Sequence, residues 1–326
     1  VGSDETGIFN LYEITLADGA KKQLTTSTVE SYYPVDYVPG MSALIYSADK
    51  GGNEIDHLYL LEDNGKTTDL TPGENNKVSF FKWSEDKKSM FYISNIRDPK
   101  YFDVYKMNIG EWIPTLFYEN KSGLDVNEIS DDEKTLVVSK TVTTSENELY
   151  LVNRETGTQT ELSLPDQKGR YGVSGISKDS KYVFYLTDGG KEFTYLVQYD
   201  MNSGERKVLY ETTWDVMYTF LSEKETYRVI AINEDGKNTI IMQDAASGKT
   251  IDFPAIPDGD ILGVEISDSE KLMRLSVGTS KAPNNIYLYN LETKELKKLT
   301  ESLNKEINAD DLVSAEVVRY KSFDGL

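Results

Sequence analysis

The apolar positions of this chain form short runs of strand length that recur about every 46 residues. One series follows a polar turn that begins with serine, and its members, Ser84, Ser130, Ser177, Ser222 and Ser267, are 46, 47, 45 and 45 residues apart. The runs after these turns, such as Tyr182-Val-Phe-Tyr-Leu186, are rich in β-branched and aromatic residues, which favour buried strands. Each turn therefore predicts a hairpin of two strands, here called strands A and B.

A second series marks a third strand, C, in each repeat. Its members are Leu11-Tyr12, Leu58-Tyr59, Val104-Tyr105, Leu149-Tyr150, Leu196-Val197, Ile240-Ile241 and Ile286-Tyr287. A turn such as Asn64-Gly65 or Ser203-Gly204 then leads into a short fourth strand, D. Glycine suits these turns because it adopts the positive φ that a tight hairpin needs.

Four short strands per repeat, without helical periodicity between Phe9 and Thr300, predict an all-β fold. We expect a seven-bladed β-propeller of four-stranded antiparallel blades over residues 1–302. The blades are placed at about 1–29, 30–75, 76–121, 122–167, 168–213, 214–258 and 259–302. The first blade is expected to be incomplete, because Gly2–Gly7 resembles the end of a strand B and its loop and nothing before it corresponds to strand A. The N-terminus is thus expected to fall inside a blade.

Charge and composition narrow the possible partners. A formal net charge of −20 argues against nucleic acid as a partner, since the phosphates would be repelled. No apolar run approaches the roughly 18 to 20 residues that span a bilayer, so we expect a soluble chain. The absence of cysteine excludes disulfides and fits either the cytoplasm or the periplasm, so the compartment stays open.

Residue types that carry catalysis are sparse. The single histidine, His57, lacks the further His or Cys residues of a zinc site, and the Gly-x-Ser-x-Gly motif of a hydrolase nucleophile does not occur. The acidic turns lack the spacing of a calcium-binding loop, and Ser-type and Asx-type turn hydrogen bonds explain them more simply. We therefore predict no catalytic residue, no metal and no cofactor in this chain.

The loops between strands B and C are the best candidates for binding. In a blade, the A–B and C–D turns lie at one face, whereas the B–C loops and the D-to-A crossovers lie at the other. Long B–C loops are predicted over residues 95–103, 188–193 and 278–285. We single out Arg97, Tyr101 and Phe193 for ligand or interdomain contacts, because loops on a rigid scaffold often carry binding sites. The alternative is that each loop merely packs on its own blade.

The pattern changes after the seventh blade. Residues 303–315 lead into the predicted strand Glu316–Tyr320, and Tyr320, Ser322, Asp324 and Gly325 fit the pattern Tyr-x-Ser-x-Asp-Gly. This passage resembles the transition from propeller to hydrolase in the prolyl oligopeptidase family of serine peptidases. The Ser-x-Asp-x-Lys turns also resemble its acylaminoacyl-peptidase and dipeptidyl-peptidase branches, and the resemblance covers the whole chain.

The resemblance implies that residues 303–326 are a linker and the first strand of an α/β-hydrolase domain. The catalytic Ser, Asp and His of the family would then lie beyond Leu326. The implied role is a non-catalytic propeller that caps and gates the active site of a serine-type oligopeptidase or aminopeptidase. Its implied partners are that hydrolase domain and small peptides. The Glu-Glu pair by which the dipeptidyl-peptidase branch binds the substrate amine has no match, so exopeptidase specificity is not carried over.

Two other functions stay open at this point. A free-standing propeller like that of TolB would bind a protein or peptide through its B–C face. A polysaccharide lyase is less well supported, because such propellers typically bind a metal through several histidines. We also expect the strand Glu316–Tyr320 to pair with the open edge of the first blade, since an unpaired apolar edge is unfavourable.

Overall fold

The chain is almost entirely β-structure in a computed structural model that describes residues 1–256 and 259–323. The strands of these residues form seven antiparallel sheets, six with four strands and one with three. Within the same residues, the 3-10 turn Ala309–Asp311 is the only helical element. No described helix is long and apolar enough to cross a membrane. The chain is therefore a seven-bladed β-propeller with a three-stranded first blade, which confirms the predicted fold class.

The chain divides into two compact units, Val1–Lys140 with Leu149–Glu161, and Thr141–Glu148 with the residues from Leu162 onward. Blades 1 to 3 belong to the first unit. Their strands are β1 (Gly2–Ser3), β2 (Asn10–Ile14) and β3 (Lys21–Gln23); β4 (Tyr33–Tyr37), β5 (Ala43–Ala48), β6 (His57–Glu62) and β7 (Thr67–Asp69); and β8 (Val78–Trp83), β9 (Ser89–Asp98), β10 (Tyr101–Asn108) and β11 (Pro114–Tyr118).

Blade 4 comprises β12 (Asp125–Ile129), β13 (Thr135–Thr141), β14 (Asn147–Asn153) and β15 (Gln159–Glu161). Blades 5 to 7 belong to the second unit. Their strands are β16 (Tyr171–Ile176), β17 (Tyr182–Thr187), β18 (Tyr195–Asp200) and β19 (Arg206–Tyr210); β20 (Asp215–Leu221), β21 (Tyr227–Glu234), β22 (Lys237–Asp244) and β23 (Thr250–Ile251); and β24 (Asp260–Ile266), β25 (Leu272–Thr279), β26 (Ala282–Asn290) and β27 (Leu296–Lys298). In every sheet, neighbours in sequence are neighbours in space.

The first blade begins with the short strand β1, which pairs Gly2 with Leu11 and Ser3 with Asn10 of β2. In the complete blades, the strand that precedes the C strand is the B strand. Strand β1 therefore corresponds to the end of strand B, as predicted, and no A strand flanks it among the described residues.

The A–B turns are closed by the repeated serine and aspartate. In blade 5, Ser177 Oγ accepts the N–H of Tyr182 at 2.9 Å and donates to Asp179 Oδ1 at 2.8 Å. Asp179 also accepts the N–H of Lys181 at 3.2 Å. Blades 3 and 4 repeat the serine-to-aspartate bond between Ser84 and Asp86 and between Ser130 and Asp132. The Ser-x-Asp pattern thus satisfies backbone donors within the turn, which explains its recurrence without any metal.

Apolar layers between neighbouring blades form the core. Leu196 of blade 5 is fully buried in a layer with Val216 and Ile230 of blade 6. On the other face of blade 6, Val229 and Ala231 pack in a layer with Met273 and other residues of blade 7. Blades 5, 6 and 7 therefore cover one another's sheets, as stacking of repeats requires.

Replacing Leu196 with alanine should lower the free energy of unfolding by about 2 to 5 kcal/mol, because it opens a cavity in a closed apolar layer. Val208→Ala on the neighbouring strand β19 is the matched control, since Val208 is exposed and should change the free energy by less than about 0.5 kcal/mol. Urea unfolding of the two variants measures both values. A similar loss of free energy of unfolding in the two variants would contradict the burial of Leu196 in this layer.

The turn aspartates predict a loss of stability in acid. Hydrogen bonds from the Lys181 ammonium and the Ser177 hydroxyl hold the pKa of Asp179 below its usual value. Because the folded state binds this proton more weakly than the unfolded state, the contribution of Asp179 is present at neutral pH. It is lost as the pH falls through the pKa of the folded state.

Asp179→Asn should therefore lower the urea midpoint at pH 7 and reduce the further loss between pH 7 and pH 3. Asp252→Asn changes the net charge equally at an exposed residue outside these turns, and it should leave the pH dependence of the wild type in place. An unchanged pH dependence in Asp179→Asn would contradict this role of the turn.

Candidate functional site

The tail of the chain lies on the B–C turns of the second unit. The N–H of Ala315 donates to Ser280 Oγ at 2.9 Å, and the guanidinium of Arg319 pairs with the carboxylate of Asp235. Ser280 lies in the turn between β25 and β26, and Asp235 lies in the turn between β21 and β22. The tail thus follows the B–C turns of blade 7 and then of blade 6. The topology of the blades predicts that the chain leaves them at this end.

The strand predicted at Glu316–Tyr320 is not formed in this structure. Residues 312–323 have no strand assignment, and the recorded bond of the Ala315 amide goes to a side chain. A β-strand needs the backbone of a neighbouring strand as its hydrogen-bond partner, and the tail lacks one here. Of the four motif residues, Tyr320 is 87% exposed and Ser322 is half-buried, whereas Asp324 and Gly325 lie outside the described residues.

Two of the three predicted long B–C loops are largely strand. Residues 95–98 continue β9 and residues 101–103 begin β10, so a two-residue turn, Pro99-Lys100, joins them. The segment 278–285 is likewise continued strand around the turn at residues 280–281. The prediction of loops was wrong at both places, because the pairing between strands B and C continues to the tip across a β-bulge. Only 188–194 is a loop, and it carries the half-buried Phe193.

Arg97 ties this hairpin together from within. Its Nε and Nη2 donate to the two carboxylate oxygens of Asp103 at 2.6 and 2.9 Å, and Nη2 also donates to the carbonyl of Asn120 at 3.1 Å. Asp103 is fully buried and accepts the N–H of Asn120 at 2.8 Å. The bonds to Asp103 raise the pKa of Arg97 further above its usual value. Arg97 therefore positions the hairpin, and a forked guanidinium is well suited to such a bidentate contact.

Tyr101 lies on the same hairpin, two residues before Asp103. Its half-buried ring packs over Gly123, where an added Cβ would approach the ring to 3.3 Å. Gly123 has a φ of +65°, so both the conformation and the close ring favour glycine there. The structure thus brings Arg97 and Tyr101 together on the β9–β10 hairpin of blade 3, while Phe193 belongs to the B–C loop of blade 5 in the second unit.

A cavity that the sequence did not predict lies at the B–C end of blade 2. It has a volume of about 620 Å³, and Glu30, Asp49, Glu54, Asp56 and Lys77 are among its lining residues. The N–H of Gly51 donates to Glu30 and the N–H of Glu54 donates to Asp49, both at 2.8 Å, so two of the carboxylates shape the loop. The Gly51-Gly52 pair indicates a turn here in the sequence. The cavity itself could not be predicted, because its lining residues come from three separate segments.

His57 lies in the wall of a second cavity of about 420 Å³ beside the first. Its Nδ1 is 2.9 Å from Asp69 Oδ2, and its Nε2 is 2.9 Å from the carbonyl oxygen of Gly73. Both ring nitrogens are engaged, so His57 can neither bind a metal nor transfer a proton without losing a bond. Among the described residues, no three acidic or histidine side chains are grouped so as to hold a metal ion. His57 therefore links strand β6 to β7 and to the crossover that follows.

Comparison with known proteins decides the family of this chain. The N-terminal β-propeller domain of prolyl oligopeptidase matches residues 36–302, most of the chain. The chain belongs to the prolyl oligopeptidase family. Dipeptidyl aminopeptidase BIII of Pseudoxanthomonas mexicana is 23% identical over 304 residues, which cover 90% of this chain and 43% of that protein.

Solved structures agree with this assignment of the fold. A prolyl endopeptidase superposes with a TM-score of 0.71 at 17% identity, over 93% of this chain and 47% of that one. TolB of Acinetobacter baumannii superposes with a TM-score of 0.54 at 15% identity, over 83% and 63% of the two chains. The chain thus spans less than half the length of these two peptidases, and what it shares with them is the propeller domain of the prolyl oligopeptidase family.

The β9–β10 hairpin should depend on Asp103. Asp103→Ala should lower the free energy of unfolding by about 2 to 4 kcal/mol, because it leaves Arg97 and the amide of Asn120 without their acceptor. Hydrogen exchange should show the loss of protection centred on residues 94–104. Asp98→Ala, at the exposed turn of the same hairpin, is the control and should cost less than about 1 kcal/mol. Equal protection in wild type and Asp103→Ala would show that the ion pair does not hold the hairpin.

Proposed function

We propose that this propeller caps the active site of a serine-type oligopeptidase or aminopeptidase and restricts its substrates to small peptides. The observation that carries the proposal is the course of the tail over the B–C turns of blades 6 and 7. A following hydrolase domain would be attached at this end of the blades. The exposed side chains of Val313, Val318, Tyr320 and Phe323 give the tail an apolar surface that a neighbouring domain would cover.

The B–C ends of the blades carry the features that a gate needs. The β9–β10 hairpin exposes Ile96 and Phe102 while Arg97 and Asp103 fix its base. The cavity in blade 2 has a wall with four carboxylates and one lysine, so a peptide that passed it would meet a negative surface. Arg97 and Tyr101 then act by positioning this hairpin, and Phe193 is the corresponding candidate in blade 5. Tyr320, Ser322, Asp324 and Gly325 stay predictions for the start of the hydrolase.

The purified 326-residue chain should hydrolyse no peptide. Dipeptidyl and N-acetyl-aminoacyl p-nitroanilides and short prolyl peptides should give no product above the blank, and a fluorophosphonate probe should label no serine. The gene downstream of the Leu326 codon should encode about a further domain with a Gly-x-Ser-x-Gly motif, followed by Asp and His. Peptidase activity of the chain alone would contradict the assignment of catalysis to another domain.

The sequence of the gene downstream of Leu326 also distinguishes this proposal from a second candidate, a TolB-like binding propeller. The superposition with TolB supports that candidate. A stop codon close to Leu326 would favour that candidate.

If the hydrolase is encoded, the full-length protein can be used to test the gate itself. Asp103→Asn should raise the ratio of kcat/KM for a 30-residue peptide to that for a 5-residue peptide, whereas Lys88→Ala at the opposite end of blade 3 should not. An unchanged ratio would contradict gating by this hairpin.

A further inference from the structure

Arg228 occupies a position at which five other blades carry an aliphatic side chain. The position is the strand B residue that pairs with the last residue of strand A, and Arg228 pairs there with Leu221. Its equivalents are Leu44, Met90, Leu136, Val183 and Met273. All five are buried. The repeat therefore calls for an apolar side chain at this point, and Arg228 is an exception that needs its own explanation.

The side chain of Arg228 packs between blades 5 and 6. The residue is 5% exposed, and its guanidinium carbon is 4.5 Å from the centroid of the Phe184 ring of β17. Arg228 points to the same face of β21 as Ile230, which packs in the layer between these two blades. Burial lowers the pKa of Arg228 to about 10, so the group still carries its charge at neutral pH.

Within the described residues, this guanidinium has no hydrogen-bond or ion-pair partner, and its recorded contact is with the Phe184 ring. Glu225 acts on it only over a distance. The Glu225 carboxylate accepts the N–H of Lys178 at 2.8 Å, and Glu223 pairs with the Lys178 ammonium at 3.3 Å. The Glu225 carboxylate is thus engaged with Lys178, and the five N–H donors of Arg228 have no acceptor among the described residues.

A second buried polar atom lies in the same pair of turns. Ser180 belongs to the blade 5 turn that contacts Glu225 through Lys178, and its Oγ is buried without a partner among the described residues. Unpaired buried donors are costly, and a bound ion is one of the few ways in which a native structure satisfies them.

We propose that Arg228 is the cationic centre of a binding site for a small anion between the A–B ends of blades 5 and 6. The ligand class is a small anion such as chloride or inorganic phosphate, since only 5% of Arg228 is exposed and a guanidinium fork can donate two hydrogen bonds to one oxyanion. Bulky polyanions are repelled by the net charge of −20. The site lies at the opposite end of the strands from the B–C turns, so it stands independently of the proposed gate.

Thermal unfolding of the 326-residue chain tests the site at constant ionic strength, with sodium gluconate replaced stepwise by sodium chloride or sodium phosphate. Gluconate, a much larger anion than chloride, sets the baseline. For the wild type, the melting temperature should rise saturably by at least about 2 °C with one of the small anions. Whichever anion gives the larger rise identifies the preferred ligand.

Arg228→Met restores the apolar type found at Met90 and Met273. This variant should melt higher than wild type in gluconate and show no further rise with the small anion. Arg228→Lys keeps the charge without the fork and should retain a weaker rise. Arg206→Met is the matched control: Arg206 also lies over an aromatic ring, Tyr199, but it donates to the carbonyl of Leu162 at 3.0 Å, so its loss should leave the anion effect intact.

Two results would overturn the proposal. A wild-type melting temperature that is insensitive to both small anions would mean that water satisfies the guanidinium. An equal rise in wild type and Arg228→Met would place the anion effect elsewhere on the chain.

Discussion

The packing of one blade against the next is the interaction on which the rest of this structure depends. A four-stranded sheet has two apolar faces and cannot cover either by itself. Strand β21 shows the consequence: Val229 and Ala231 pack toward blade 7, whereas Ile230 and Ile232 pack toward blade 5. The middle of this B strand, Val229 to Ile232, is therefore continuously apolar, and the alternation of a half-exposed strand is absent there.

The two ends of the blades differ because they are constrained differently. At the A–B ends of blades 3, 4 and 5, the serine and aspartate of the turn satisfy the backbone within a few residues, so the same short motif recurs. At the B–C ends, the connections vary from two-residue turns to the loop at 188–194. These ends carry the cavities of blade 2 and the described part of the tail. This difference between a constant end and a variable end is expected of a rigid scaffold, on which the variable loops are the usual place for binding residues.

Two arginines show that residue type alone does not define a role. Arg97 reaches the buried carboxylate of Asp103, and its charge is compensated within one hairpin. Arg228 occupies an apolar layer, and the nearby carboxylate of Glu225 accepts a hydrogen bond from Lys178. The first arginine is explained by local structure, whereas for the second we propose a bound anion. The same distinction separates His57, whose two nitrogens are both bonded, from a catalytic or metal-binding histidine.

The sequence by itself determined the fold class, the number of blades and the incomplete first blade. These features follow from a repeat of apolar runs and turns, and such a pattern is local, so it survives without knowledge of any distant contact. The family could also be inferred from the turns and the tail. The roles of single residues could not, because they depend on partners from other segments. Asp103 and Asn120 make Arg97 a structural residue, and residues 30, 56 and 77 meet only in the fold to form the cavity of blade 2. Tertiary structure likewise decided that 95–98 is strand and that 316–320 is not, because a strand exists only where a neighbouring backbone completes its hydrogen bonds.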